Sequence, residues 1–107
     1  MLKNHERIAQ LEACKQKEYF ILDHWEDREV AQSSEAVVGL MRKEVKRFID
    51  FLIERITADS TNLQAEAQAY FDEWDNEDFN QDETEFIVEV EFEAMRIAGI
   101  NIDHLLI

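Results

Sequence analysis

Apolar residues recur along this chain at helical spacing, and the clearest run lies in the middle. Val38, Met41, Val45, Phe48, Leu52 and Ile56 follow one another at intervals of three and four, widened by Val37, Ile49 and Ile53. That period puts them on one face of a helix, so a helix is expected over 34–57. Ser33 and Ser34 precede it, and a serine hydroxyl there accepts a bond from a free first-turn N–H. Upstream, Ile8, Leu11, Cys14, Leu22 and Trp25 fall roughly on one face, with Tyr19 beside them, which predicts a helix over 4–31. The polar KQKE at 15–18 interrupts that stripe, so the helix is expected either continuous or with a break. The cluster YFILDHW at 19–25 carries enough aromatic and β-branched residues to read as a strand, although the helix is preferred. The charged EDRE at 26–29 reads as a solvated end.

Downstream, TADSTN at 57–62 is a polar linker. Leu63, Ala67, Tyr70, Phe71 and Trp74 then share a face and predict a helix over 63–74, followed by an acidic loop to Gln81. Over the next stretch two templates compete. Val88 to Ala94 alternates apolar and acidic, as a strand does, whereas Phe86, Ile87, Val90, Ala94, Ile97 and Ala98 form a helical stripe. Arg96, Gly99 and Ile100 decide between them, because a basic last turn, a glycine and an apolar residue end a helix. The expected helix is 82–98, with Asp82 as its N-cap and Glu83 and Glu85 in the first turn. A second apolar row of Val88, Phe92 and Met95 predicts partners on more than one side, and so a central position. The apolar tail INIDHLLI is expected to pack back as a short turn or fifth helix.

Composition adds a boundary. Zero proline and two glycines in 107 residues argue against an all-β fold, which needs many turn-formers. The expectation is one all-α domain over 1–107, a compact bundle of four main helices. One cysteine excludes an internal disulfide and fits a reducing compartment. With no apolar leader and no long apolar run, a cytoplasmic location is expected.

Charge changes the picture most. The net charge is −14 and it is unevenly placed: residues 1–55 hold 11 acids and 10 bases, whereas 56–107 hold 14 acids and one base. Eleven of those acids fall between Asp72 and Glu93, and no Lys or Arg occurs between Arg55 and Arg96. Direct binding to nucleic acid or an anionic membrane is disfavoured, since phosphate would be repelled. A basic protein partner is favoured instead, because it would relieve the crowded negative charge. Arg42, Lys43, Lys46 and Arg47 form the one basic patch, and a solvated face balancing the acids internally is its simplest account.

Few residues suggest chemistry. Asp78, Asn80 and Asp82 stand at positions 1, 3 and 5 of a calcium-loop pattern, with Glu89 at position 12, but Glu83 occupies position 6, where the sharp turn needs glycine. That weak metal candidate competes with helix capping as an account of the same residues. His5, His24, His104 and Cys14 are widely separated and match no metal-ligand or nucleophile spacing. No glycine-rich phosphate loop is present. The sequence therefore predicts a non-enzymatic protein without a cofactor.

Tyr70, Phe71, Trp74 and Phe79 interleave with acids, as anchors and steering charges do at protein interfaces. Phe71 and Trp74 read as core, and Phe79 as the exposed anchor. Residues 71–100 resemble the C-terminal half of a group of small helical bacterial proteins of uncharacterised function. The likeness rests on Asp78-Phe79, Asp82, Thr84, Glu85-Phe86-Ile87, Met95 and Ile97-Ala98-Gly99-Ile100. It implies a helix over 82–98 and no catalytic residue.

The functional expectation is an acidic inhibitor, in particular a bacterial immunity protein covering the basic site of a cationic toxin or nuclease. Its partner-binding residues would be Asp72, Glu73, Trp74, Asp75, Glu77, Asp78, Phe79, Asp82, Glu83 and Glu85. The alternatives are a phage-type nucleic-acid mimic, a calcium-responsive helical module and a structural scaffold domain.

Overall fold

A computed structural model describes residues 4–17, 19–75 and 77–101, and all their regular structure is helical. The helices are α1 (Asn4–Lys15), α2 (Leu22–Asp27), α3 (Glu35–Thr57), α4 (Leu63–Glu73) and α5 (Gln81–Ile97). The expected all-α bundle is therefore what the chain forms. At ~1.5 Å per residue, the 23 residues of α3 span about 35 Å, which accounts for the 40 Å long dimension of the molecule.

Helix α3 is the hub, packing against α1, α4 and α5. Val38, Met41, Val45, Phe48, Leu52 and Ile56 are all buried, as their spacing predicts. Ser34 is the N-cap and accepts from the Val37 N–H. Helix α5 has partners on two sides, α1 and α3, but the central place belongs to α3. The reason is that the apolar face of α3 is long and broad enough for three helices to pack on it, whereas much of α5 is acidic.

The helix expected over 4–31 is divided. Between α1 and α2 the chain turns at Phe20, whose φ of 65° lies in the left-handed region that L-residues enter at a cost of ~1–2 kcal/mol. Burial offsets that cost. The Phe20 ring is fully buried at 4.7 Å from Phe86 in an edge-on contact, and its carbonyl accepts the Trp25 indole N–H at 2.9 Å. Trp25 also meets Phe86, 5.1 Å away. Residues 22–27 are helical rather than extended, which resolves the alternative at 19–25.

Three helices end in the same device. After α2, α3 and α5 the next residue but one takes a left-handed conformation: Glu29, Asp59 and Gly99. In each case the following N–H reaches back to the third residue from the helix end: Val30 to Trp25, Ser60 to Arg55 and Ile100 to Met95. This is the Schellman arrangement, and Gly99 with buried Ile100 completes it in its usual form. Beyond α5, Asn101 and Gln64 exchange two hydrogen bonds of 3.0 and 3.1 Å, tying the end of α5 to α4. The fifth element expected in the apolar tail, and His104, lie outside the described residues.

Candidate functional site

Helix α4 stops at Trp74 because that residue turns to an extended conformation, its N–H still bonded to the Phe71 carbonyl. The loop that follows is fixed locally. The Asp75 carboxylate accepts the Glu77 N–H at 3.0 Å, and the Trp74 and Phe79 rings lie 6.4 Å apart. Both rings are half-buried against the core, so Phe79 is not the freely exposed anchor its acidic surroundings suggest. Asn80, not Asp82, caps α5. Its side chain accepts the Glu83 N–H while the Glu83 carboxylate accepts the Asn80 N–H, each at 2.8 Å. This reciprocal box satisfies two otherwise free donors.

Glu83 is consequently a structural residue. Its side chain is buried, and its second carboxylate oxygen accepts the Ser33 hydroxyl. It leaves the set of expected surface residues because the capping geometry turns it inward. The same box uses Asn80, and Glu89 lies two turns along α5 in an ion pair with Arg28. The residues of the calcium-loop pattern are thus held apart by the helix. Among the described residues no group of three or more metal-ligating side chains converges.

What remains on the surface is a rim of seven exposed carboxylates: Asp72, Glu73, Asp75, Glu77, Asp78, Asp82 and Glu85. Among the described residues none has a cation within 4.0 Å. Their contacts are neutral ones, such as Gln68 to Asp72 at 3.0 Å and Gln81 to Glu85 at 3.2 Å. Asp75 and Asp78 border a cleft of about 180 Å³ whose other wall includes Leu40, Lys43, Glu44 and Arg47. Among the described residues Lys43 makes no ion pair across it, and Arg47 is committed to Glu44 on its own helix at 2.7 Å. The basic patch of α3 therefore faces two of the seven acids and neutralises none by direct contact. Leu40, 43% exposed, gives this edge an apolar residue in reach of a partner.

The later acids fare differently. Glu89 pairs with Arg28, which also lies 4.6 Å over the Phe86 ring, and Glu93 lies 3.4 Å from Lys17. Glu91 is fully buried, with neither carboxylate oxygen hydrogen-bonded. Burial, reinforced by the nearby Glu44 carboxylate and opposed by Arg47, holds its pKa well above the ordinary 4.5. Glu44, 8% exposed, is by contrast well served. It accepts the Tyr70 hydroxyl at 2.6 Å and two Arg47 N–H groups at 2.7 and 3.2 Å. Burial and that same bond push the Tyr70 hydroxyl pKa upward.

Neither Glu44 nor Glu91 stands out in the acidic run or the basic patch, yet a signal exists. Glu44 lies three residues after Met41 and four before Phe48, and Glu91 four after Ile87 and four before Met95, so both occupy core positions of their stripes. With no exposed surface, Glu91 cannot act on a substrate while the helices stay packed. Cys14 is buried and free, and His24 sits beside the Phe86 ring at 6.5 Å. Among the described residues no helix is long and apolar enough to cross a membrane. No protein-family model, curated protein or solved structure matches the chain.

Proposed function

We propose that this chain is a non-enzymatic acidic inhibitor that docks its Asp72–Glu85 rim on the basic surface of a partner protein. One observation carries the reading: seven exposed carboxylates stand together with no cation in contact among the described residues. Charges of one sign ~4 Å apart repel by about 1 kcal/mol even in bulk water, and salt weakens the effect only beyond ~8 Å. A cationic partner removes that repulsion. The same field steers its approach and raises the association rate, whereas the half-buried Trp74 and Phe79 edges and exposed Leu40 supply apolar contact that slows release. In its most specific form the partner is a toxin or nuclease, and the carboxylates occupy the site where it would hold nucleic-acid phosphate. That is the action of a cytoplasmic immunity protein.

The test uses two baits at low salt, the wild-type chain and a variant with Asp75, Asp78 and Asp82 changed to Asn and Glu77 and Glu85 to Gln. Glu83 stays, because changing it would disturb the α5 cap rather than the rim. Wild-type protein should retain a basic protein from its native host, release it as salt rises, and inhibit its nuclease or toxic activity. Equal retention by both baits would discard the rim as the docking surface. Capture of host DNA-binding machinery instead of a toxin would reassign the rim to nucleic-acid mimicry.

A further inference from the structure

The acidic rim leaves the opposite charge unexplained. Where the C-terminal end of α1 meets the exposed face of α3, a cleft of about 200 Å³ is lined by Lys15, Gln16, Lys17, Tyr19, Arg42 and Lys46. Four of those side chains are cationic, and no carboxylate lines the cleft among the described residues. In a chain of net charge −14 this is a local reversal of sign, assembled from two separate stretches. Sequence alone does not reveal it, because α3 supplies only Arg42 and Lys46. The packing of α1 on α3 brings Lys15 to them, and the turn after α1 brings Lys17.

The four cations are unequally engaged. Lys15 is 2.6 Å from Asp50, and Lys17 makes a solvent-exposed pair with Glu93 at 3.4 Å. Arg42 donates its Nε–H to the Tyr19 carbonyl at 2.8 Å, which fixes the guanidinium and leaves its two terminal nitrogens without a partner among the described residues. Lys46, one turn further along α3, has no partner among them at all. A pinned, planar guanidinium with its fork free is the group best suited to two oxygens of one anion, and a neighbouring ammonium adds a point charge. Like charges held side by side also repel, and an anion between them reverses that interaction.

We propose that this cleft binds a small, multiply charged oxyanion of the phosphate class, with Arg42 and Lys46 as its main ligands and Lys17 closing over it. A dianion or larger engages several cations at once. The volume corresponds to about six or seven water molecules at ~30 Å³ each, enough for one or two phosphate groups.

The test titrates the intact protein with pyrophosphate, following backbone amide and arginine Nε–H signals by NMR, against sodium chloride at matched ionic strength. Saturable shifts confined to residues 15–19 and 42–46 are expected with pyrophosphate alone. Arg42→Gln and Lys46→Gln should each weaken binding roughly tenfold, the usual scale for one hydrogen bond to a charged group. Lys43→Gln, on the neighbouring cleft, should leave it unchanged. Both ligand side chains are exposed, and unchanged far-ultraviolet circular dichroism would verify that the variants fold. Equal shifts with chloride, or equal weakening by Lys43→Gln, would overturn the proposal. So would concentration-dependent dimerisation abolished by Lys46→Gln, which would give the cleft to the acidic rim of a second copy.

Discussion

The front and rear of one acidic run have opposite fates. From Asp72 to Glu85 seven carboxylates are exposed and, among the described residues, without a cation in contact, whereas Glu89 and Glu93 are paired and Glu91 is enclosed. Composition does not separate them, since both segments are acidic and free of Lys and Arg. Helix phase and neighbours do. Within α5, Glu89 and Glu93 lie one turn apart on a single face, toward Arg28 after α2 and Lys17 after α1, whereas Glu91 between them points into the core. The loop and the first turn of α5 have no basic element beside them except the edge of α3. Charge in a sequence becomes charge on a surface only after this sorting.

The largest effect expected from breaking the contrast is at Glu91. A buried carboxyl group without a hydrogen-bond partner costs about 1–3 kcal/mol, and Met fills a similar volume without that cost. Glu91→Met should therefore raise stability at pH 7 by roughly that amount, a melting-temperature gain of some 4–8 °C per kcal/mol at this chain length. The pH dependence has a fixed sign. The folded pKa lies above the unfolded value, so the stabilisation from holding the proton is complete below pH 4.5 and is lost as pH rises toward the folded pKa. The advantage of Glu91→Met over wild type should grow across that window. A variant no more stable than wild type at neutral pH would show that Glu91 finds a partner in solution.

A smaller effect is expected within the front segment, at the α5 cap. Asn80→Ala removes one half of the reciprocal box and should cost ~1 kcal/mol, within a range of about 0.5–2. Asp82→Ala, one residue into the helix, should cost far less in thermal or urea denaturation. Equal costs would return the cap to Asp82, and with it the reading in which Asn80 is free to hold a cation.

That cap also marks how far the sequence could be read. The Asn80-x-x-Glu83 signature was legible, but the calcium-like spacing of Asp78, Asn80 and Asp82 overlaps it and draws attention to Asp82. The α3 stripe and the Gly99 stop were plain, because burial and left-handed geometry there use the residues that favour them. A break after α1 was hinted at by the polar KQKE, but its form at Phe20 was not. A left-handed phenylalanine is unfavourable locally and exists only because Phe86 and Trp25, distant or helical neighbours, enclose its ring. Likewise Glu91 was hidden by the alternation of Val88 to Ala94, which assigns every second residue to solvent if read as a strand. The cation-lined cleft depended in part on that same break, since the turn is what places Lys17 and the Tyr19 carbonyl beside α3.

The smallest effects separate the two segments by sign. Glu89→Gln breaks the pair with Arg28, whose side chain is partly enclosed over the Phe86 ring, so a loss of up to ~1 kcal/mol is expected at low salt. Asp78→Asn removes one charge from a rim of like charges and should be neutral or stabilising, within about 0.5 kcal/mol. Raising salt should shrink both, because screening weakens attraction and repulsion alike. Urea denaturation at 0.02 and 0.5 M salt reads the two signs directly. If Asp78→Asn destabilises at low salt as Glu89→Gln does, the rim is neutralised across the cleft by Lys43 or Arg47, and its claim on an external cationic partner lapses.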